Sequence, residues 1–182
     1  MTFINRSSAE FTAFKYIPTP LGPVITAAID EGVCLIEFYD QKTSQNSISK
    51  LQQEFGGRLL PASNDILESL SLEIKDYFDG RLRRFNTSLA LHGTSFQLRV
   101  WDELCRIPYG ETASYQEIAR RIGNPRAVRP VARAVSMNRI NIIIPCHRVI
   151  GKGGELRGYG GGLWRKRLLL ELERTGRLHG QG

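Results

Sequence analysis

Between Ser114 and Val135 two short helical patterns are joined by Gly123-Asn124-Pro125, and no other stretch limits the fold as strongly. Ser114-Tyr115-Gln116-Glu117 has the spacing of a capping box, in which the Ser114 hydroxyl and the Glu117 carboxylate satisfy free amides at a helix start. Gly123 supplies the stop, and the second pattern turns Val128, Val131, Ala132 and Val135 inward. Helix, short turn and helix make a helix-turn-helix. Its second helix presents Arg126, Arg129 and Arg133 at spacings of three and four, away from the valines. In isolation such a stripe is a solvated face; with no acid among the arginines it favours phosphate contact. Pro130 cannot donate an amide and disfavours helical geometry at Arg129, so it is tolerable only in the first turn. The helix is therefore expected to begin no earlier than about Arg126.

Charge divides along the same line. The 182 residues carry a net +7, yet residues 1–92 hold nine basic against eleven acidic side chains, and residues 93–182 hold sixteen against seven. All the excess positive charge lies in the half with the helix-turn-helix, which suits a polyanionic partner reached by electrostatic attraction; a solvated basic face is the plain alternative. A hydrophobic content of 41% is enough for a packed core. No apolar stretch approaches the roughly 20 residues of a membrane span, and Met1 to Glu10 lacks the order of a secretion signal. These features predict a soluble, cytoplasmic protein with no membrane partner.

In the first half, Val24 to Ile29 and Val33 to Phe38 are apolar runs flanking the hairpin turn Asp30-Glu31-Gly32. Two helical patterns follow, one with Ile48, Leu51 and Phe55, the other with Ile66, Leu67, Leu70, Ile74 and Tyr77, ending at Gly80. We expect residues 1–91 to form an α/β N-terminal domain, a small antiparallel sheet with helices, that serves as scaffolding and ends in a connecting segment over residues 81–91. Residues 92–182 are expected to form a mainly α C-terminal domain of winged helix-turn-helix type. Its first helix runs from about Ser95 to Cys105, with Phe96, Val100, Trp101 and Leu104 sharing a face, and stops before Pro108-Tyr109-Gly110. Glycine-rich residues 151–162 lack the strand-loop-helix and lysine of a phosphate cradle and read as a wing or pocket wall. A last helix from Trp164 to Glu173 buries Leu168, Leu169 and Leu172, with Lys166, Leu169 and Glu173 on one side.

Pro145-Cys146-His147-Arg148-Val149 follows the strongest apolar run, Ile142-Ile143-Ile144, read as a strand. A cysteine behind a strand and a proline is poorly placed for a disulfide and well placed as a nucleophile. A free thiol of pKa about 8.5 is only a few per cent thiolate near neutrality, so reactivity needs a base or positive charge close by. His147, Arg148 and a distant carboxylate are the candidates; a buried cysteine acting as a small hydrophobe is the bland alternative. Cys34 and Cys105 read as core residues. The three cysteines form no CxxC pair, so neither a disulfide framework nor a metal site is indicated.

Several further motifs surround that pentapeptide in order: Gly93-Thr94-x-Phe96-Gln97, Val100-Trp101, Ile107-Pro108-Tyr109-Gly110-Glu111-Thr112, Ser114-Tyr115, Ile122-Gly123-Asn124-Pro125, Asn138, Gly158-Tyr159-x-Gly161-Gly162 and Lys166 with Leu168-Leu169. Together, from Gly93 to Glu173, they resemble the O6-alkylguanine-DNA alkyltransferases, also called methylated-DNA:protein-cysteine methyltransferases. The resemblance implies a single-use DNA-repair reaction. The alkyl group of O6-alkylguanine in double-stranded DNA, methyl preferred and O4-alkylthymine a weaker source, passes to Cys146 from a flipped-out base, with no cofactor and no obligate protein partner.

It also implies roles. Glu173 orients His147, which acts through water on Cys146, and Asn138 braces the surrounding backbone. Tyr115 donates toward the departing guanine oxygen. Tyr159 and Gly160 wall the alkyl pocket, the carbonyls of Cys146 and Val149 read the guanine amine, and Lys166 belongs to the same region. Arg129 fills the gap left by the flipped base from the minor-groove side, with Arg126, Ala127, Arg133 and Ser114 also at the DNA. Two departures stand out: Pro130 where many relatives have a small residue, and Arg139 where many have proline. A non-catalytic DNA-binding regulator or lesion sensor is the alternative, but such relatives lack the cysteine. A cysteine hydrolase would not explain the arginine stripe.

Overall fold

The computed structural model describes residues 11–39, 49, 53 and 58–178; Ile48, Leu51 and Phe55, expected in a helix, lie outside them. Strands β1 (Phe11–Ile17), β2 (Val24–Ile29), β3 (Gly32–Phe38) and β4 (Arg58–Pro61) form one sheet in the order β3-β2-β1-β4. The anticipated hairpin pairs β2 with β3 antiparallel, Ile29 opposite Gly32. Glycine is required there: Gly32 has φ 152°, and a Cβ would come within 2.5 Å of the Ser88 carbonyl oxygen. Strands β1 and β4 were not foreseen, and β4 runs parallel to β1, so the sheet is mixed rather than antiparallel throughout.

An edge strand needs its free amides and carbonyls covered. On β3 two passing segments do this. Val33 exchanges hydrogen bonds with Ser88 and Ala90, and Ile36 with Arg139 and Asn141, all of 2.8–2.9 Å. The connecting segment and the approach to Cys146 are thereby both held in register on one strand.

Helix α1 (Asp65–Phe78) starts at Asn64, whose side chain accepts from Leu67 N, and ends before Gly80 in the left-handed region, as its periodicity required. Helix α2 (Ser95–Cys105) has the expected bounds and a capping box between Thr94 and Gln97. After β5 (Ala113–Ser114), the Ser114–Glu117 capping box opens α3 (Tyr115–Arg121), closed by Gly123 at φ 76°. Helix α4 (Val128–Ser136) begins two residues after Arg126, so Pro130 falls in its first turn, where no intrahelical amide is lost. Its buried face is Val131, Ala134 and Val135; Ala132, expected inward, is half-buried because Ala134 takes the place against α2, where its carbonyl accepts from Trp101 Nε1 at 2.9 Å.

The apolar run before Cys146 is not a strand. Ile143 N donates to Asn141 O at 2.9 Å around Ile142, whose φ of 74° a β-branched residue rarely adopts. This is a strained γ-turn. A second follows at Pro145 (φ −81°, ψ 62°), where Cys146 N donates to Ile144 O at 2.7 Å. The chain then enters a 3-10 turn, Cys146–Arg148, and β6 (Val149–Ile150), parallel to β5. The strand reading fails because the backbone groups around Ile142 bond locally and to β3 instead of to a ladder.

Helix α5 (Leu163–Thr175) buries Lys166, Leu169, Leu172 and Glu173 on one face. One apolar cluster runs from Val24, Leu70 and Tyr77 of the first half to Trp101, Val131, Cys146 and Leu169 of the second. The ends of α1 and α5 meet glycine to glycine: a Cβ on Gly80 would lie 2.4 Å from the Gly176 carbonyl oxygen. Gly123 shares the left-handed backbone but has nothing within 4 Å. Alanine at Gly123 should therefore cost only the backbone term of about 1 kcal/mol, whereas Gly80→Ala adds a backbone clash and should cost about 2–4 kcal/mol. Urea unfolding of both variants tests this; equal losses would mean the helix ends do not press together.

Candidate active site

Cys146 opens its 3-10 turn at the inner end of the two γ-turns, 5% exposed. Its sulfur is held by two amides. Asn138 Nδ2 donates to Sγ at 3.2 Å, and Sγ is 3.7 Å from Asn141 Oδ1. Asn138 also donates to Ile144 O at 2.9 Å and accepts from Ile140 N at 2.9 Å, so one side chain fixes both the turn and the sulfur. The brace does not depend on the residue that follows: Arg139 is carried by its carbonyl bond to β3. Burial pushes the Cys146 thiol up to about 11, against the Asn138 hydrogen bond and the nearby Lys166 ammonium. The resting group is thus a thiol, and a thiolate at pH 7 would cost about 5 kcal/mol. Arg148, expected to lend positive charge to the sulfur, is instead occupied elsewhere.

That occupation is Glu173. Its carboxylate, buried in α5, accepts from Tyr77 Oη at 2.7 Å, Gly110 N at 3.1 Å, Arg148 Nε at 2.8 Å and Arg148 Nη2 at 2.9 Å, and lies 2.7 Å from His147 Nε2. Burial alone would raise its pKa, but the His147 hydrogen bond and the Arg148 guanidinium outweigh burial and hold it well below the usual carboxylate range. His147 is fully buried, and burial lowers its pKa despite Glu173. A neutral ring facing an ionised carboxylate must carry its proton on Nε2, which leaves Nδ1 as a bare acceptor. Nδ1 is buried without a hydrogen-bond partner, and no direct Cys146–His147 hydrogen bond forms. The imidazole can therefore take a proton from one side while Glu173 steadies the other.

Tyr77 and Gly110 were missed by sequence reasoning. Tyr77 sits on the apolar stripe of α1 and reads there as core, and Gly110 contributes only an amide. Their signal exists only once α1 and the turn after α2 converge on Glu173.

Around the sulfur stand the other anticipated groups. Tyr115, the first residue of α3, donates to Arg157 O at 3.2 Å, and burial raises its pKa and keeps it a phenol. Tyr159 sets its ring between Phe38 and His147, both with centroids 6.5 Å away, and its hydroxyl is buried without a partner. Gly160 has open space where a Cβ would be. Lys166 Nζ donates to Val149 O at 2.5 Å and Arg157 O at 2.6 Å, with burial lowering its pKa to about 8. The carbonyls of Cys146 and Val149 each already accept one bond, from Val149 N and from Lys166, and each keeps a second lone pair. On the outer face Arg126, Arg129 and Arg133 are exposed. Ala127 is not: the whole residue is buried at the helix start, its amide bonded to Asn124 O and its carbonyl to Val131 N, and the Ser114 hydroxyl is engaged as a cap. Among the described residues no cluster of three or more His, Cys, Asp or Glu side chains is placed to hold a metal, and no helix is long and apolar enough to cross a membrane.

Comparison with known proteins identifies the family. Residues 95–175 match the family model of the DNA binding domain of 6-O-methylguanine DNA methyltransferase, and residues 13–91 match that of its ribonuclease-like domain. A methylated-DNA–protein-cysteine methyltransferase of Mycobacterium leprae is 45% identical over 160 residues, 88% of this chain and 91% of that protein. An inducible methylated-DNA–protein-cysteine methyltransferase of Bacillus subtilis is 48% identical over 123 residues, 68% of this chain and 69% of that protein. The crystal structure of Mycobacterium tuberculosis OGT in complex with DNA superposes with a TM-score of 0.78 at 39% identity, covering 93% of this chain and 96% of that one. On both sequence and structure, this chain belongs to the O6-methylguanine-DNA methyltransferase family.

Proposed function

We propose that this protein repairs DNA by moving the alkyl group of O6-alkylguanine, methyl in preference to larger groups, onto Cys146 in a single irreversible turnover, inside the cell. The observation that carries the reading is the buried Cys146–His147–Glu173 arrangement, with a protonated thiol, a neutral imidazole and an unpartnered Nδ1. The Cys146 proton leaves through a bridging water to His147 Nδ1. The S–C bond then forms as the C–O6 bond breaks, and O6 takes a proton from Tyr115, which recovers one from the imidazolium or solvent. Guanine is restored and Cys146 ends as a thioether, which has no easy leaving route. Imidazolium formation is stabilised by Glu173, whose own proton affinity is too low to take the proton itself.

The DNA face is Arg126, Arg129 and Arg133, with Ser114 beside them and Ala127 buried behind at the helix start. Arg129, at the second position of α4, is exposed and free to enter the duplex from the minor-groove side, where it offsets part of the few kcal/mol lost on unstacking the base. The flipped base would sit between Tyr115 and the Tyr159–Gly160 wall, its amine facing the free lone pairs of the Cys146 and Val149 carbonyls. Residues 1–91 act as scaffold and residues 92–182 as the reacting unit, with the scaffold side chain of Tyr77 touching the relay through Glu173. A lesion sensor without chemistry has no use for the dry thiol and its base.

Incubation with a duplex holding O6-methylguanine should add one methyl mass to the peptide containing Cys146, and none in Cys146→Ala; an unmodified cysteine beside intact lesion would sink the proposal. The parent's transfer rate should stay level within about twofold from pH 6.5 to 7.5, because the imidazole and not hydroxide removes the proton. His147→Gln should lose about 100-fold at pH 7 and then climb about tenfold per pH unit as the thiol, at about 11, begins to ionise. A parent rate with that same slope would deny His147 its role. Tyr77→Phe takes one donor from Glu173, leaving the carboxylate more attractive to the imidazole proton. His147 should then protonate at higher pH, and the acid limb of the rate profile should move up by about half to one unit. An unmoved limb with only lower stability would make Tyr77 a core residue and nothing more.

A further inference from the structure

The loop walling the site has one turn bond of its own, from Gly162 N to Tyr159 O at 3.0 Å, and little else to fix its shape. Between Arg157 and Leu163 it has glycine at four of five positions, two of them at positive φ (Gly158, 45°; Gly162, 90°), and the Tyr159 hydroxyl, buried without a partner, gives it no anchor. Two consecutive residues of α5 hold it from outside. Lys166 takes the carbonyl of Arg157 at one end. Arg165 takes the other end, where Nη1 donates to Gly161 O at 2.8 Å.

Arg165 also ties that end to the N-terminal sheet. Its Nε donates to Leu21 O at 2.7 Å, and its guanidinium lies over the Phe38 ring at 4.6 Å and the Trp164 ring at 4.3 Å. Phe38, the last residue of β3, completes the contact: a Cβ on Gly161 would come within 2.7 Å of its ring, which also meets Tyr159 edge-on. A continuous chain of contacts thus runs from Leu21 and Phe38 through Arg165 and Gly161 to Tyr159, whose ring rests against His147. Two carbonyls and two rings match the flat fork of an arginine; a lysine could serve one carbonyl and neither ring as well.

We propose that Arg165 is a specificity-determining positioning residue, which clamps the Tyr159–Gly161 wall to the N-terminal sheet and so sets the size of alkyl group that fits beside Cys146. The proposal rests on reading that wall as part of the alkyl pocket. Arg165 touches neither substrate nor sulfur and acts only through Gly161 and Tyr159. A wall held close favours the smallest group, because a methyl carbon has few contacts of its own to keep it in line with the sulfur, and a retreat of about 1 Å costs it on the order of 10–100-fold. A benzyl group fills the space such a retreat opens and keeps its alignment by its own contacts.

The test measures transfer to Cys146 from duplexes carrying O6-methylguanine and O6-benzylguanine, in the parent, Arg165→Ala and Arg165→Lys, with thermal unfolding of each and amide exchange over residues 158–162. In Arg165→Ala the methyl rate should fall about tenfold and the benzyl rate much less, shifting their ratio severalfold toward benzyl, while exchange in the loop quickens. Arg165→Lys, which keeps the charge and loses the fork, should shift the ratio in the same direction; it also decides the matter if the alanine variant does not fold. A ratio equal to the parent's in the folded variants, or equal losses for both substrates, overturns the clamp. Failure of the reading beneath it looks different: the parent itself would transfer neither group.

Discussion

A carboxylate with no access to water has to be surrounded by donors, and Glu173 gathers five of them from three other parts of the chain. Uncompensated, such an anion would cost several kcal/mol, far more than any one of these hydrogen bonds returns, so the arrangement stands or falls as a set. Its geometric consequence reaches well beyond the carboxylate. Tyr77 brings in α1, Gly110 the turn after α2, His147 and Arg148 the reactive turn, and the acid itself the last helix. Arg148 completes the closure by giving its third contact, at 2.6 Å, to the carbonyl of Ile107. Gly80, where the end of α1 touches α5, is a corollary, since a Cβ there would run into the Gly176 carbonyl.

The reactive turn is secured from its other end by strain. An isoleucine at φ 74° costs of order 1–3 kcal/mol, and such a backbone persists only when its surroundings over-determine it. Here they do so with the hydrogen bonds of Asn138 and with the pairing of Arg139 and Asn141 onto β3. The strain has a use. Two successive γ-turns reverse the chain in the fewest residues, which sets Cys146 and His147 at the junction of the sheet, α5 and the β5–β6 ladder, with Tyr115 one residue past that ladder.

Much of this was legible beforehand, and what was not has identifiable causes. The cap at Ser114, the glycine stops at Gly80 and Gly123 and the bounds of α2 follow from interactions spanning three or four residues, which a sequence displays directly. Pro130 showed where α4 had to begin for the same reason. Strand β4 has only four residues, and its partner β1 lies more than forty residues earlier, so pairing and not pattern creates it. Ile142-Ile143-Ile144 misled because an apolar run signals burial, which is correct, and not conformation, which here is decided by Asn138 and β3. Within the site, Cys146, His147, Glu173 and Asn138 were found through ordered motifs. Tyr77 has no motif; its hydroxyl matters only because of where α5 puts an acid ninety-six residues later.

The thiol itself poses the last question of design, because burial has moved it away from reactivity, up to about 11. For an enzyme that turns over, a permanently lowered pKa would be the common solution. A protein consumed by one reaction faces a different constraint: its only nucleophile must survive until a lesion arrives. Thiolates are what oxidants and stray electrophiles attack, so a protonated, nearly dry sulfur is protected for as long as the site is empty. The bare Nδ1 of His147 takes the Cys146 proton through water once an alkyl carbon has reached the sulfur, and Lys166 and Asn138 stabilise the charge while it lasts. Protection and activation are thus assigned to different groups, the first to burial and the second to the imidazole, and the cost of about 5 kcal/mol for making the thiolate falls within the reaction step instead of on the waiting protein.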